Sequence, residues 1–239
     1  MKYIYSGASQ KLWAKATTED KKLARSIYRK CNSSTKKKEK FRISRPANII
    51  MNAIEVIFFP YDDNDGRSWW WVDSGTDSSD GKIYDREIEI SIKQFHMLVA
   101  RNDIAGKEIA RIKKYLRLNK LTPRERVKAI HDYICEDVQY DYSYNGKTSL
   151  YDALFAKTVV CVGYSTALKA LCDTCGVVCD IVSNENHAWN RVFIDNEWLY
   201  IDATWDDANN YKKFFMLPED DFYKIHPKHT DVDKDVWVK

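Results

Sequence analysis

An α+β fold follows from three features of the 239-residue sequence. Thr122-Pro123-Arg124-Glu125 is a capping box with proline at the first helical position, and it opens a stretch that carries Val127, Ile130, Ile134 and Val138 on one side. Residues 161–175 place Ala167, Leu168 and Leu171 at helical spacing and end against Gly176, a residue suited to a helix C-terminus. Three apolar runs follow, 177–182, 187–194 and 198–203, the last two flanking Asp195-Asn196. Strands joined by such short links run antiparallel, because a parallel return needs a crossover of a dozen or more residues.

Upstream, the chain reads as helices around a hairpin. Thr17-Thr18-Glu19-Asp20 is a helix start, and Leu23, Ile27 and Tyr28 form its apolar stripe. The polar stretch 32–40 reads as a linker. Pro46 fits a first helical position, with Ile49, Ile50, Ala53, Ile54 and Ile57 continuing at three-to-four spacing until Pro60. Residues 69–72 and 83–92 alternate as strands do, and Asp80-Gly81 is a type I′ turn signal. A long helix is expected over 95–118. No internal repeat is visible. The expected division is a helical extension with a β-hairpin over 1–121, packed on a core over 122–239.

Composition excludes whole classes. At 44% hydrophobic and 13% aromatic the chain is too apolar to be disordered, and no run approaches the ~18 apolar residues of a membrane span. The first ten residues hold no secretory apolar segment, which reads as cytoplasmic, or as secreted or cell-surface if the chain is part of a longer one. The net charge of +3 hides an uneven distribution, +10 over residues 1–60 and −9 over 129–239. No base-reading motif accompanies the basic start. The run Lys36 to Lys40 is therefore read as a solvated face, or as a complement to the acidic half, and no nucleic-acid partner is expected. Six cysteines are too few and too clustered for a disulfide framework.

The second half supplies a nucleophile, a base and a carboxylate. Cys161 opens a helix, where free N–H groups and the macrodipole favour a thiolate below the ~8.5 of an ordinary cysteine. Attack on an amide then needs a base that takes the thiol proton and returns it to the leaving amine, a task for histidine. A two-residue turn at Asp195-Asn196 puts His187 opposite Thr204 and diagonal to Asp202. The two side chains then share one face. A three-residue loop would send Asp202 to the other face.

Val160-Cys161-Val162-Gly163-Tyr164-Ser165, Asn186-His187-Ala188-Trp189-Asn190 and Trp198 to Trp205 with its Asp202-Ala203-Thr204-Trp205 resemble the motifs of the transglutaminase-like superfamily, including its bacterial cysteine peptidase domains. Ile130-His131-Asp132-Tyr133-Ile134, Tyr140-Asp141 and Tyr151 to Leu154 resemble that family's approach to its cysteine. The likeness runs from about 122 to 217, while residues 1–121 resemble bacterial leaders only loosely. It implies a papain-like core with Cys161 as nucleophile, His187 as base and Asp202 as orienting carboxylate. The family includes cross-linkers, peptidases, amidases and inactive members, so the resemblance implies chemistry better than substrate.

Other readings stand beside it. Cys172, Cys175 and Cys179 with His187 can be drawn as a Cys3His zinc site, but that would consume the base, and small apolar residues packed on the sheet account for these thiols. No metal or cofactor is expected, since 62–66 fails the EF-hand pattern and His96, His226 and His229 lack metal spacing. Trp69 to Trp71 reads as core rather than a stacking platform. Trp189 is expected to wall the site, Arg191 to pair with an acid such as Asp202 or Glu185, and His131 to lie on the surface. Tyr140 or Tyr142 is a candidate second oxyanion donor beside the Cys161 N–H. The expected activity is hydrolysis of a protein or peptide amide through a Cys161 thioester. Transfer to an amine, or a non-enzymatic peptide- or glycan-binding module, are the alternatives.

Overall fold

The computed structural model describes residues 16–58, 70–77, 84–143, 147–184, 187–209 and 213–225. Trp69, Ile83, the Asp80-Gly81 turn, residues 62–66, His226 and His229 lie outside them, as do the side chains of Ile57, Trp70 and Trp71. Contacts divide the chain into a unit ending at Asn102 and a unit beginning at Asp103, and the expected boundary at 121/122 lies within the second.

The first unit contains α1 (Thr18–Ser33), β1 (Lys38–Ile43), α2 (Ala47–Phe58), β2 (Trp70–Asp77), β3 (Tyr84–Ser91) and the start of α3 (Ile92–Tyr115). Thr17 and Asp20 close a full capping box at the head of α1. The strands form an antiparallel sheet in the order β1-β3-β2, with β2 and β3 the expected hairpin. The stretch 32–40 is not simply a linker, because Lys38 to Ile43 pair with Ser91 to Arg86 as a strand. Its alternating charges meet acids across the sheet, Lys38 on Glu89 at 2.5 Å and Lys40 on Glu87 at 2.7 Å, while Lys36 reaches Glu39. The basic run thus complements acids of its own unit. Ile27, Ile43, Ile50, Ile54, Ile88, Ile90 and Phe95 form the core.

The second unit contains α4 (Pro123–Asp137), β4 (Gln139–Tyr140), β5 (Thr158–Val159), α5 (Cys161–Thr174), β6 (Val178–Ser183), β7 (Ala188–Ile194), β8 (Glu197–Ile201), α6 (Ala203–Asn209), β9 (Leu217–Pro218) and α7 (Glu219–Ile225). Thr122 and Glu125 form the expected capping box, and Val127, Ile130, Ile134 and Val138 are buried. Gly176, at φ 78°, closes the end of α5 in the left-handed conformation that glycine adopts without strain. The sheet is antiparallel in the order β6-β7-β8-β9. Asp195 and Asn196 both have positive φ, 56° and 66°, which makes the two-residue type I′ turn. Ile194 therefore faces Glu197 and Asn190 faces Ile201. Among the described residues no helix is long and apolar enough to cross a membrane.

Candidate active site

Cys161 is the first residue of α5, reached through the short parallel pair of β4 and β5. Residues at the first helical position have no partner for their N–H within the helix, so this donor stays available next to the thiol. Val160 precedes it in extended conformation, its N–H donating to the Lys147 carbonyl at 3.1 Å. The next residues fix the helix in place. A Cβ on Gly163 would stand 2.5 Å from the Val159 side chain, so only glycine lets the helix pass this close to β5. The Tyr164 hydroxyl donates to the Asp207 carboxylate at 2.6 Å and lies 3.2 Å from the Val138 carbonyl, tying α5 to α4 and α6.

His187 sits just ahead of β7, where its N–H donates to the Asn184 side chain at 2.8 Å. Its ring lies between two tryptophans, stacked on Trp189 at 5.8 Å and edge-on to Trp205 at 5.9 Å. Nε2 is 2.7 Å from Asp202 Oδ2, and the Cys161 side chain lies close enough to interact with the same imidazole. Nε2 being engaged with the carboxylate, Nδ1 is the nitrogen left for the thiol. Burial works against a charged ring here, but the interactions with Asp202 and Cys161 outweigh it and raise the His187 pKa from 6.5 to about 9.

Asp202 reaches His187 by a route that differs from the expected one. β8 ends at Ile201, and Thr204 lies in α6 rather than on a strand opposite His187. Asp202 is the capping residue of that helix, since its Oδ1 accepts from the Trp205 N–H at 3.1 Å while Oδ2 faces the imidazole. Burial raises its carboxyl above the ordinary value, and the bond to His187 opposes that rise. The hairpin register delivers both residues to one end of the sheet, and the helix cap then turns the carboxylate toward the ring.

The remaining candidates separate. Trp189 is 1% exposed and stacks on both His187 and Phe222, so it backs the imidazole from the buried side. Tyr140 and Tyr142 pair edge to face at 5.0 Å, with Tyr142 largely exposed. Arg191 pairs with an acid, Asp180, its cross-strand partner, at 3.0 Å and lies over the Trp198 ring, while Glu185 lies outside the described residues. His131 is fully buried, not on the surface, with Nε2 3.0 Å from Asp206 Oδ2. Nothing local marked it, because its partner lies 75 residues away. Cys172, Cys175 and Cys179 are buried free thiols, and a hydrogen bond to Cys179, together with burial, pushes the Cys172 thiol well up. Among the described residues no group of three or more histidine, cysteine or acidic side chains is arranged to hold a metal ion.

A thiol at a helix start, an imidazole beside it and a buried carboxylate behind the imidazole are the kinds of group that cysteine acyl transfer uses. Residues 110–203 match the family model described as the transglutaminase-like superfamily, and this segment is a domain of that superfamily. The kyphoscoliosis peptidase of Mus musculus is 28% identical over 127 residues, covering 43% of this chain and 19% of that protein. That of Homo sapiens is 28% identical over 130 residues, covering 44% and 20%. The chain thus spans about a fifth of the length of the curated relatives it matches. A crystal structure of a TGase aligns over 70% of this chain and 50% of its own, at 18% identity and a TM-score of 0.41.

Proposed function

We propose that the protein hydrolyses an amide bond of a protein or peptide through a thioester on Cys161, with His187 as the proton carrier and Asp202 as the residue that orients and charges it. The observation that carries the reading is the contact of His187 with Asp202 on one side and Cys161 on the other. In the acylation step the sulfur attacks the carbonyl carbon, and the thiol proton held on the imidazole passes to the leaving nitrogen as the C–N bond breaks. In this reading the N–H of Cys161 donates to the developing oxyanion, with Tyr140 or Tyr142 as a candidate second donor. Water then attacks the thioester while His187 takes its proton, and the acid leaves as that proton returns to the cysteine sulfur. The printed name of the two mammalian relatives supports hydrolysis over transfer to an amine.

The test is incubation with a peptide library, with and without an added primary amine, read by mass spectrometry. Cleaved or deamidated products that disappear in Cys161→Ala support the reading. Products that carry the amine in preference to water would replace hydrolysis by transamidation.

A further inference from the structure

Asp202 is not the only buried carboxylate on its helix. One turn along α6, Asp206 is also 1% exposed and faces the buried His131 of α4 at 3.0 Å. A carboxylate only accepts, so His131 Nε2 is the donor. The other oxygen, Oδ1, accepts from the Phe214 N–H at 2.8 Å. The Phe214 carbonyl in turn accepts from the Asp202 N–H at 2.9 Å, and the Asp206 N–H donates to the Asp202 carbonyl at 3.0 Å. Hydrogen bonds therefore run unbroken from His131 through Asp206 and the Phe214 backbone to Asp202, and from its carboxylate to His187.

Burying a second acid and a second histidine is costly compared with an aliphatic contact of the same volume. Packing α4 on α6 requires neither. What the pair provides is direction: it grips the Phe214 backbone at one point, and that backbone grips Asp202 at the next. We propose that His131 and Asp206 are positioning residues for the reaction, holding the Phe214 backbone so that the Asp202 carboxylate stays within hydrogen-bond reach of His187. This rests on the reading of Cys161, His187 and Asp202 given above. A shift of Asp202 by about 1 Å would stretch its 2.7 Å bond beyond the useful range. His187 would then release its proton at lower pH. Among the described residues the titratable groups facing His131 are Asp132 and Cys135 on its own helix and Asp206 on α6. Those facing His187 are Cys161 on α5 and Asp202.

The experiment is a ring-NMR titration of the histidines in the full chain, which holds five, with the His187 signal assigned by its loss in His187→Gln. It needs no substrate. Wild type should titrate at His187 near 9. In His131→Ala the midpoint should fall by about one unit or more, the scale of a weakened charge-assisted bond. His131→Gln keeps an N–H donor and should restore most of it. If His131→Ala does not fold, Asp206→Asn serves instead: an amide has one acceptor oxygen where the carboxylate uses two, so the midpoint should fall in the same direction by less. An unchanged midpoint in folded His131→Ala, or in Asp206→Asn where that variant stands in, would overturn the inference and leave the triad reading intact. A wild-type midpoint near 6.5 would overturn the triad reading itself, and this inference with it.

Discussion

Among the described residues of the unit that ends at Asn102, the buried polar side chains are Asp20, Glu39 and Glu89, and each closes a charge pair with a partly exposed cation, Asp20 on Arg45, Glu39 on Lys30 and Lys36, and Glu89 on Lys38. In the unit that begins at Asp103 they include His131, Asp141, Lys169, Asp180, Asn190, Asp202 and Asp206, most of them bonded to one another or to backbone. The first unit follows the ordinary division of apolar inside and charged outside. The second carries polar chains through its interior, which is costly unless every member is satisfied and is justified where side chains must be aimed. The contrast teaches where this molecule depends on direction and where only on burial.

The comparison breaks most visibly at the triad. Cys161→Ala and His187→Ala should each lower turnover of any accepted amide by about ten-thousand-fold or more, and Asp202→Asn somewhat less, read as kcat/KM by mass spectrometry. Wild-type turnover in any of the three would end the assignment. A smaller but still large effect is expected at Lys169, whose ammonium is 1% exposed and held by Asp173 at 3.0 Å and the Cys179 carbonyl at 2.9 Å. Lys169→Ala removes the buried cation of this pair and should cost about 3–5 kcal/mol in denaturant unfolding. Lys38→Ala, in the first unit, should cost under about 1 kcal/mol because that lysine is half exposed. Equal losses would erase the distinction between the units.

The pH dependence sharpens it further. His187 is raised from 6.5 to about 9 on folding, so its contribution to stability is complete below pH 6.5 and is lost as pH rises through about 9. The sum is at most about 3 kcal/mol. Wild type and Asp202→Asn should therefore differ most at pH 6 and converge toward pH 10 in chemical denaturation, and a gap that widens with pH would contradict the assignment. The smallest contrast uses two glycines. Gly163→Ala forces a Cβ to within 2.5 Å of Val159 and should destabilise by about 1–3 kcal/mol, with Val159→Ala recovering part of it. Gly106 has open space around it in α3, so Gly106→Ala should raise stability by about 0.5–1 kcal/mol.

Features fixed by neighbouring residues were readable in advance. The capping boxes at Thr17 and Thr122, the end of α5 at Gly176 and the turn at Asp195-Asn196 each depend on a few adjacent side chains, and the turn alone sets the register that brings His187 and Asp202 together. Features fixed by distant partners were not. β1 reads as a linker because its lysines become strand-forming only against Glu87 and Glu89. His131 reads as surface because Asp206 is far along the chain. Asp202 reads as a strand residue because the apolar run continues through Ala203, and only the bond from the Trp205 N–H reveals the helix cap.

The most direct test of the proposed cooperation of Cys161, His187 and Asp202 is competitive alkylation of the six thiols by iodoacetamide at neutral pH, mapped by mass spectrometry. Exposure alone favours Cys135, which is partly exposed, over the buried Cys161. The account predicts the reverse order, Cys161 labelled first, with the preference lost in His187→Ala and reduced in Asp202→Asn. Cys135 labelled first in wild type, with Cys161 reacting at the same rate in His187→Ala, would contradict it.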